Sequence, residues 1–112
     1  MLRVFMSRPS AITGPESDLF VASDLQEAVT AWRTWLENER RASPHTLAAY
    51  TGDLKAFLGF LCGHLGGELG LSDLAGLCTA DFRAWMARRG MSGLQAASTA
   101  RALSVVRGFF RF

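Results

Sequence analysis

Residues 43–61 read SPHTLAAYTGDLKAFLGFL, and the order of residue types predicts a helix with a defined start. Serine is a preferred N-cap because its side-chain oxygen accepts a hydrogen bond from an orphan backbone N–H. Proline next to it suits the first helical position, where a missing N–H costs nothing. Leu47, Tyr50, Leu54, Phe57 and Leu61 then recur at steps of three and four, one continuous apolar stripe. Gly63 is the expected stop. The opening also collects Ser43, His45 and Thr46 at the positive end of the helix dipole, where unpaired N–H groups hold anions readily. Two uses of this end stay open, a plain cap and a phosphate contact.

Outward from this stretch, further helical patterns follow. Upstream, Leu25, Val29, Trp32 and Leu36 recur at helical spacing, predicting a helix from Ser23 or Asp24 to about Arg41. Ser23 or Asp24 caps it, and Glu27 stands three after Asp24 as in a capping box. Downstream, residues 63–78 (GHLGGELGLSDLAGLC) hold five glycines and predict a connection with a short helical turn at Ser72–Leu77. Leu71, Leu74 and Leu77 are expected to plug it onto the core. A third main helix is expected from a Thr79 cap, with Asp81 in its first turn, Phe82, Trp85 and Met86 facing inward, and Gly90 closing it. The fourth runs from Gln95 or Ala96 to the end. At about 100° per residue it places Ala102, Leu103, Val106, Phe109 and Phe110 on one side. Arg101, Ser104, Arg107, Gly108 and Arg111 fall on the other.

No period-two run of strand length competes, so the expected fold class is all-α, a compact bundle of four main helices. The chain of 112 residues allows one domain. Residues 1–22, with Pro9, Gly14 and Pro15 and no sustained period, read as a flexible N-terminal tail before a helical domain at 23–112. Nothing caps the last helix at Phe112, and the chain is expected to be part of something longer.

Composition sets the function classes. No run approaches the roughly 18 apolar residues of a membrane span, and Met1–Met6 is too short for a signal-peptide core, so a cytoplasmic protein is expected. Cys62 and Cys78 form no CxxC pair, and His45 and His64 are not at metal-site spacing from them. Two buried free thiols are expected, with no metal and no cofactor. Net charge is only +2, but Arg83–Phe112 carries six arginines and no acid. Such a stretch is either an electrostatic footprint for a polyanion or a solvated surface.

Catalytic patterns are lacking. Glu37 and Glu39 lie in a charged helix end, no serine has a nucleophile-elbow setting, and GHLGGELG lacks the Lys-Ser/Thr ending of a phosphate loop. Tyr50, the one tyrosine, lies on an apolar stripe. The last helix is more informative. Its wet face combines Arg101, Arg107 and Arg111 with the small residues Ala97, Ser98, Ser104 and Gly108. Small residues let a helix approach a duplex, and arginine pairs with phosphate or guanine. With the SPHT helix end, this favours DNA binding over a solvated surface helix. Neither Arg101 nor Arg33 lies on an apolar stripe, so replacing either is expected to leave the melting temperature unchanged.

Three segments in this order, SPHTLAAYTGDLKAFLGFL, LCTADFRAWMARR and SGLQAASTARALSVVRGFFRF, resemble the N-terminal core-binding domain of tyrosine recombinases, the phage-integrase family, of the bacterial XerC/XerD type. Ser43, Pro44, Thr46, Tyr50, Asp53 and Leu54 match the first pattern of that family. Ser98, Arg101, Ser104, Arg107, Phe109 and Phe110 match the last. The resemblance covers about residues 24–112 and implies a SAM-like bundle that clamps one face of duplex DNA, its second and fourth main helices near the major groove. It implies phosphate contacts from Ser43, His45 and Thr46 and places Ala49 and Arg101 toward base edges. Lys55, Ser98, Ser104, Arg107 and Arg111 are further DNA-binding candidates. The implied partners are double-stranded DNA and other recombinase subunits in a tetramer on DNA, with the isolated chain monomeric and off the membrane. The family's catalytic residues belong to a separate domain, so no catalytic residue is expected here, and Tyr50 is not the nucleophile. The DNA site, and the choice between chromosome-dimer resolution in cell division and mobile-element integration, stay open. So does a competing reading as a helical protein-interaction module.

Overall fold

The computed structural model describes residues 21–112, and in it the quoted stretch lies in a helix. Among the described residues the order is α1 (Ser23–Asn38), α2 (Pro44–Leu65), α3 (Leu71–Ala75), α4 (Thr79–Met91) and α5 (Ala96–Arg111). Four are long and α3 is the short turn expected in the connection. The tail assigned to residues 1–22 lies outside the described residues except for Val21 and Ala22. Those two are tied down: Val21 forms an isolated bridge with Leu69, and the Ala22 N–H donates to the Leu69 carbonyl at 2.8 Å. The described residues contain no strand beyond that bridge.

Helix α2 starts as its sequence dictates. Ser43 is the N-cap, and its Oγ accepts from the Thr46 N–H at 3.1 Å, with Pro44 in the first turn. It does not stop at Gly63. A glycine inside a helix costs only about 1 kcal/mol relative to alanine, whereas a helix end needs a residue that tolerates left-handed backbone. Gly66, at φ 72, supplies that, and its N–H donates to the Cys62 carbonyl at 3.0 Å.

The other boundaries shift for similar reasons. Helix α1 ends at Asn38 rather than Arg41, because the chain turns there toward α2, and Arg41 itself adopts φ 50. Its N-cap is Ala22 with no side-chain bond, so the expected Asp24–Glu27 capping box does not form. The Asp24 carboxylate accepts instead from the Leu71 N–H of α3, at 3.4 Å. In α4 the cap is Cys78 rather than Thr79, since the Asp81 side chain reaches back to the Cys78 N–H at 2.8 Å. The helix also passes Gly90 and turns at Gly93, φ 79.

The core is one cluster drawn from every helix. It contains Leu25, Trp32 and Leu36 of α1, Leu54, Phe57, Leu58 and Leu61 of α2, Leu74 of α3, Trp85 of α4, and Ala102, Val105, Val106 and Phe109 of α5, with Leu69 from the connection. Helix α5 packs chiefly on α2. Trp85 meets Phe57 edge-on at 4.8 Å between ring centroids, and Trp32 meets Phe109 at 5.6 Å; such pairs add about 0.5–1.5 kcal/mol beyond area burial. Three side chains expected inside are exposed: Leu71, Met86 and Phe110. Phe110 lies about 100° round α5 from Phe109, on the flank toward α4, where its ring meets Phe82 of α4 at 6.2 Å and Phe57 of α2 at 6.3 Å between centroids. Val105, not expected inside, takes the place beside α2. Neither cysteine forms a disulfide among the described residues, and in place of two buried thiols Cys78 is exposed and Cys62 half-buried, since Cys78 caps α4 at the surface. Among the described residues no helix is long and apolar enough to cross a membrane.

The two far ends of α2 and α4 meet in a polar contact. His64 Nε2 lies 2.9 Å from Asp81 Oδ1. The Asp81 carboxyl is held below the usual aspartate value of 3.8, first by the Cys78 N–H and then by His64. A lowered folded-state pKa means that the ionised form stabilises the fold above the ordinary aspartate range, and that this contribution disappears as pH falls through the lowered value. Asp81→Asn is therefore expected to melt below the parent chain near neutral pH. The gap should close as the pH drops below about 3.8, which thermal melts followed by circular dichroism across an acid series would check.

Candidate functional site

At the start of α2 the hydrogen-bond roles are already divided. The Ser43 Oγ accepts from the Thr46 N–H and donates its own hydrogen to Thr46 Oγ1 at 3.0 Å. The Leu47 N–H is bound by the Ser43 carbonyl at 2.8 Å, and Pro44 has no N–H. The outward-facing donors left at this end are the His45 backbone N–H, the exposed His45 imidazole and the Thr46 hydroxyl. This end is a good cap and an anion-facing surface together, with fewer free backbone donors than a bare helix start offers.

About two turns beyond Thr46 along α2 lies Asp53, 8% exposed. Its carboxylate receives both Arg101 Nε–H (2.8 Å to Oδ2) and Arg101 Nη2–H (3.0 Å to Oδ1) from α5. A side chain of this kind, when buried, demands a partner, so Arg101 is not the solvated arginine that the apolar-stripe argument implied. The Arg101 pKa is raised further above its ordinary value, chiefly by the hydrogen bonds to Asp53. About half of its side chain (49%) remains exposed.

Of the pair, Arg101 stands in the wall of a cleft of about 460 Å³ between the end of α1, the first turns of α2, and α5. Thr46, Tyr50, Arg101, Ser104 and Arg111 line it, together with Arg40, whose guanidinium sits 5.5 Å from the Trp35 ring. The structure thus brings Thr46, Arg101, Ser104 and Arg111 to one place, with Ser43 and His45 at its α2 end and Ser98 one turn before Arg101. Ala49 is half-buried one turn beyond His45. Lys55 and Arg107 are not brought there. Lys55 comes two positions after Asp53, a step of about 200° round the helix. Arg107 lines a second, apolar groove with Phe82, Met86 and Phe110, on the α4 side of α5.

The arginine-rich segment is likewise not a uniform footprint. Arg89 is buried, donating to Thr99 Oγ1 at 3.0 Å and lying 5.6 Å from the Trp85 ring centroid. Arg101 is paired with Asp53. That leaves Arg83, Arg88, Arg107 and Arg111 exposed, with no carboxylate partner among the described residues. The sequence reading missed Asp53 and Arg40 as members of the site. Asp53 was signalled by its place, an acid directly beside the buried Leu54 on an otherwise apolar flank. Arg40 carried no signal, because its position depends on the turn at Arg41. No group of residues able to hold a metal occurs among the described residues.

Comparison with known proteins gives a consistent picture. The family described as phage integrase, N-terminal SAM-like domain, matches residues 29–112. The chain is 48% identical over 89 residues to tyrosine recombinase XerC of Rhodospirillum centenum, covering 80% of this chain and 26% of that protein. It is 45% identical over 89 residues to the protein of the same name from Mesorhizobium japonicum, covering 80% and 28%. With that from Bradyrhizobium diazoefficiens the identity is 39% over 104 residues, covering 92% and 32%. The chain thus spans between a quarter and a third of the length of these relatives. No solved structure matches it.

The Asp53–Arg101 geometry overturns the expectation that Arg101 is neutral for stability. Arg101→Ala is expected to lower the melting temperature clearly, since it strands a buried carboxylate, while Arg33→Ala, at an exposed position of α1, should leave it unchanged. The double variant Asp53→Leu, Arg101→Met removes both charges and should recover most of the loss, because a well-packed apolar pair replaces a buried ion pair at little cost. Thermal melts of the three variants beside the parent chain give the comparison.

Proposed function

The chain belongs to the phage integrase N-terminal SAM-like domain family, and from that premise we propose that it is the DNA-binding part of a site-specific tyrosine recombinase of the XerC/XerD kind. It clamps duplex DNA at a recombination site for strand exchange by a catalytic part that lies outside these residues. The observation that carries this reading is the cleft in which Thr46, at the start of α2, meets Arg101 and Arg111 of α5. Ser43, His45 and Thr46 contact phosphate through the helix end and its side-chain donors. Ala49 and Arg101 face base edges, and Ser98, Ser104 and Arg111 support contact along α5. Lys55 and Arg107 contribute long-range attraction from flanking surfaces. Duplex DNA and further recombinase subunits, four on the paired sites, are the partners. The working place is the cytoplasm, and chromosome segregation at cell division is the process that the XerC likeness favours.

One observation favours a second reading, a protein-interaction module. The groove of about 580 Å³ between α4 and α5, lined by Phe82, Met86, Leu103, Val106 and Phe110, is open and apolar. It lies on the other side of α5 from the cleft, so the two surfaces do not compete.

Fluorescence anisotropy with duplex DNA across a salt series separates the readings. If three or four phosphates are neutralised, a fourfold rise in salt should weaken binding about 40- to 150-fold through counterion release. No binding at low salt would leave the interaction module. Arg101→Ala should weaken binding more than Arg33→Ala. A nicked suicide duplex incubated with the chain should give no covalent adduct on a denaturing gel, since Tyr50 is half-buried among core residues with no activating base described beside it.

A further inference from the structure

We propose that Asp53 is a positioning residue for DNA readout: by gripping one edge of the Arg101 guanidinium, it aims the opposite edge at a guanine in the major groove. This rests on the DNA-binding reading above. A guanidinium is planar and carries five N–H groups in a rigid fork geometry. The side-on pair, Nε–H and one Nη2–H, is bound by the two Asp53 oxygens at 2.8 and 3.0 Å. The end-on pair, Nη1–H and the second Nη2–H, is left. Planarity turns that pair away from Asp53, and about half of the Arg101 side chain is exposed. Two parallel donors at this spacing match the O6 and N7 acceptors of guanine, the commonest specific arginine contact in the major groove.

Three features make this more than a paired arginine on a surface. Asp53 is itself buried, so its carboxylate is fixed by the packing of α2 and hands that rigidity to a side chain that would otherwise sample many rotamers. Arg101 stands in the second turn of a helix that is buried on its other side by Ala102, Val105, Val106 and Phe109, so the fork's direction is set by the core. Gly108, two turns along the same cleft wall, has helical backbone, and a Cβ there would meet nothing within 4 Å. The cleft wall is therefore low at that place. Phosphate offers paired acceptors too. Guanine is favoured because the Arg101 fork is held rigidly in the second turn of α5 by a buried carboxylate, whereas the phosphate-type donors gather at the α2 start.

The test uses the 112-residue chain and two probes: a short alternating G·C duplex, and the same duplex with 7-deazaguanine, which lacks the N7 acceptor and keeps every phosphate. The parent chain is expected to bind the first about tenfold more tightly. Asp53→Asn is expected to bind both alike, at the level of the parent on the 7-deazaguanine duplex, and Arg101→Lys, which keeps the charge without the fork, to do the same. Charge alone predicts the opposite for Asp53→Asn, since the loss of a carboxylate raises the net charge from +2 by one unit and strengthens attraction to phosphate. An Asp53→Asn chain that keeps the preference, or binds the guanine duplex as tightly as the parent, overturns the positioning role. A parent chain that binds both duplexes equally overturns the guanine contact and leaves DNA binding standing. Failure to bind either duplex overturns the DNA-binding reading itself. Circular dichroism checks the helicity of each variant. If Asp53→Asn does not fold, Asp53→Glu, which keeps the charge and moves the carboxylate out by one methylene, should show the same loss of preference.

Discussion

The carboxylate of Asp53 and the guanidinium of Arg101 are the constraint on which the cleft depends. Helices α2 and α5 pack along an apolar seam, and at its rim this one pair fixes how the two surfaces meet. A buried ion pair is a poor source of stability, because removing both ions from water offsets most of their attraction, and two apolar side chains would fill the same space as well. Its effect is directional. Leu54 and Phe57 hold α2 against the core by area alone, and area tolerates small rotations. Two hydrogen bonds to a planar group do not. The pair thus converts a non-specific packing of two helices into one register, and the same register brings Thr46 of α2 beside Arg101, Ser104 and Arg111 of α5.

The distribution of arginines follows from the same packing. Read along the chain, six arginines without an acid look like one basic surface. In space they serve three different ends. Arg89 is inside, where its stem covers Trp85 and its charge is met by Thr99 and the ring face. Arg101 is shared between the fold and the cleft. Arg83, Arg88, Arg107 and Arg111 remain as solvated charge. With a net charge of only +2, long-range attraction is modest, so any recognition by this domain relies on where a few donors are held rather than on total charge.

How much of this was legible in the sequence depended on the range of the interaction concerned. The Ser43 cap, Pro44 at the helix start and the Leu54–Phe57–Leu61 stripe are local features, and each was read correctly from neighbours within four positions. The stop of α2 was misplaced at Gly63, because a glycine marks an end only where φ must turn positive, and that is decided by the following chain at Gly66. Asp24 looked like a cap for its own helix but binds the Leu71 N–H, 47 positions away. Arg101 was expected to be neutral for stability because its partner is 48 positions distant on another helix. Periodicity shows which side of a helix is oily. It does not show which flank of that side faces which neighbour, and for that reason Val105 and Phe110 exchanged the places expected for them.

Helix α5 divides the molecule into two unlike surfaces. On one flank, the cleft walls carry Tyr50, Thr46, Ser104 and three arginines over an apolar floor that includes Trp32, Leu36 and Val105. On its α4 flank the groove is apolar, with Leu103, Val106 and Phe110 facing Phe82 and Met86. Arg111 stands at the edge of both. Such a helix transmits position between them: any rotation of α5 that opened the apolar groove would also pull Arg101 against Asp53, whose carboxylate is fixed in the core. Because that pair resists rotation, an occupant of the groove is confined to the existing register. The ion pair thus holds α5 in one register between the two surfaces.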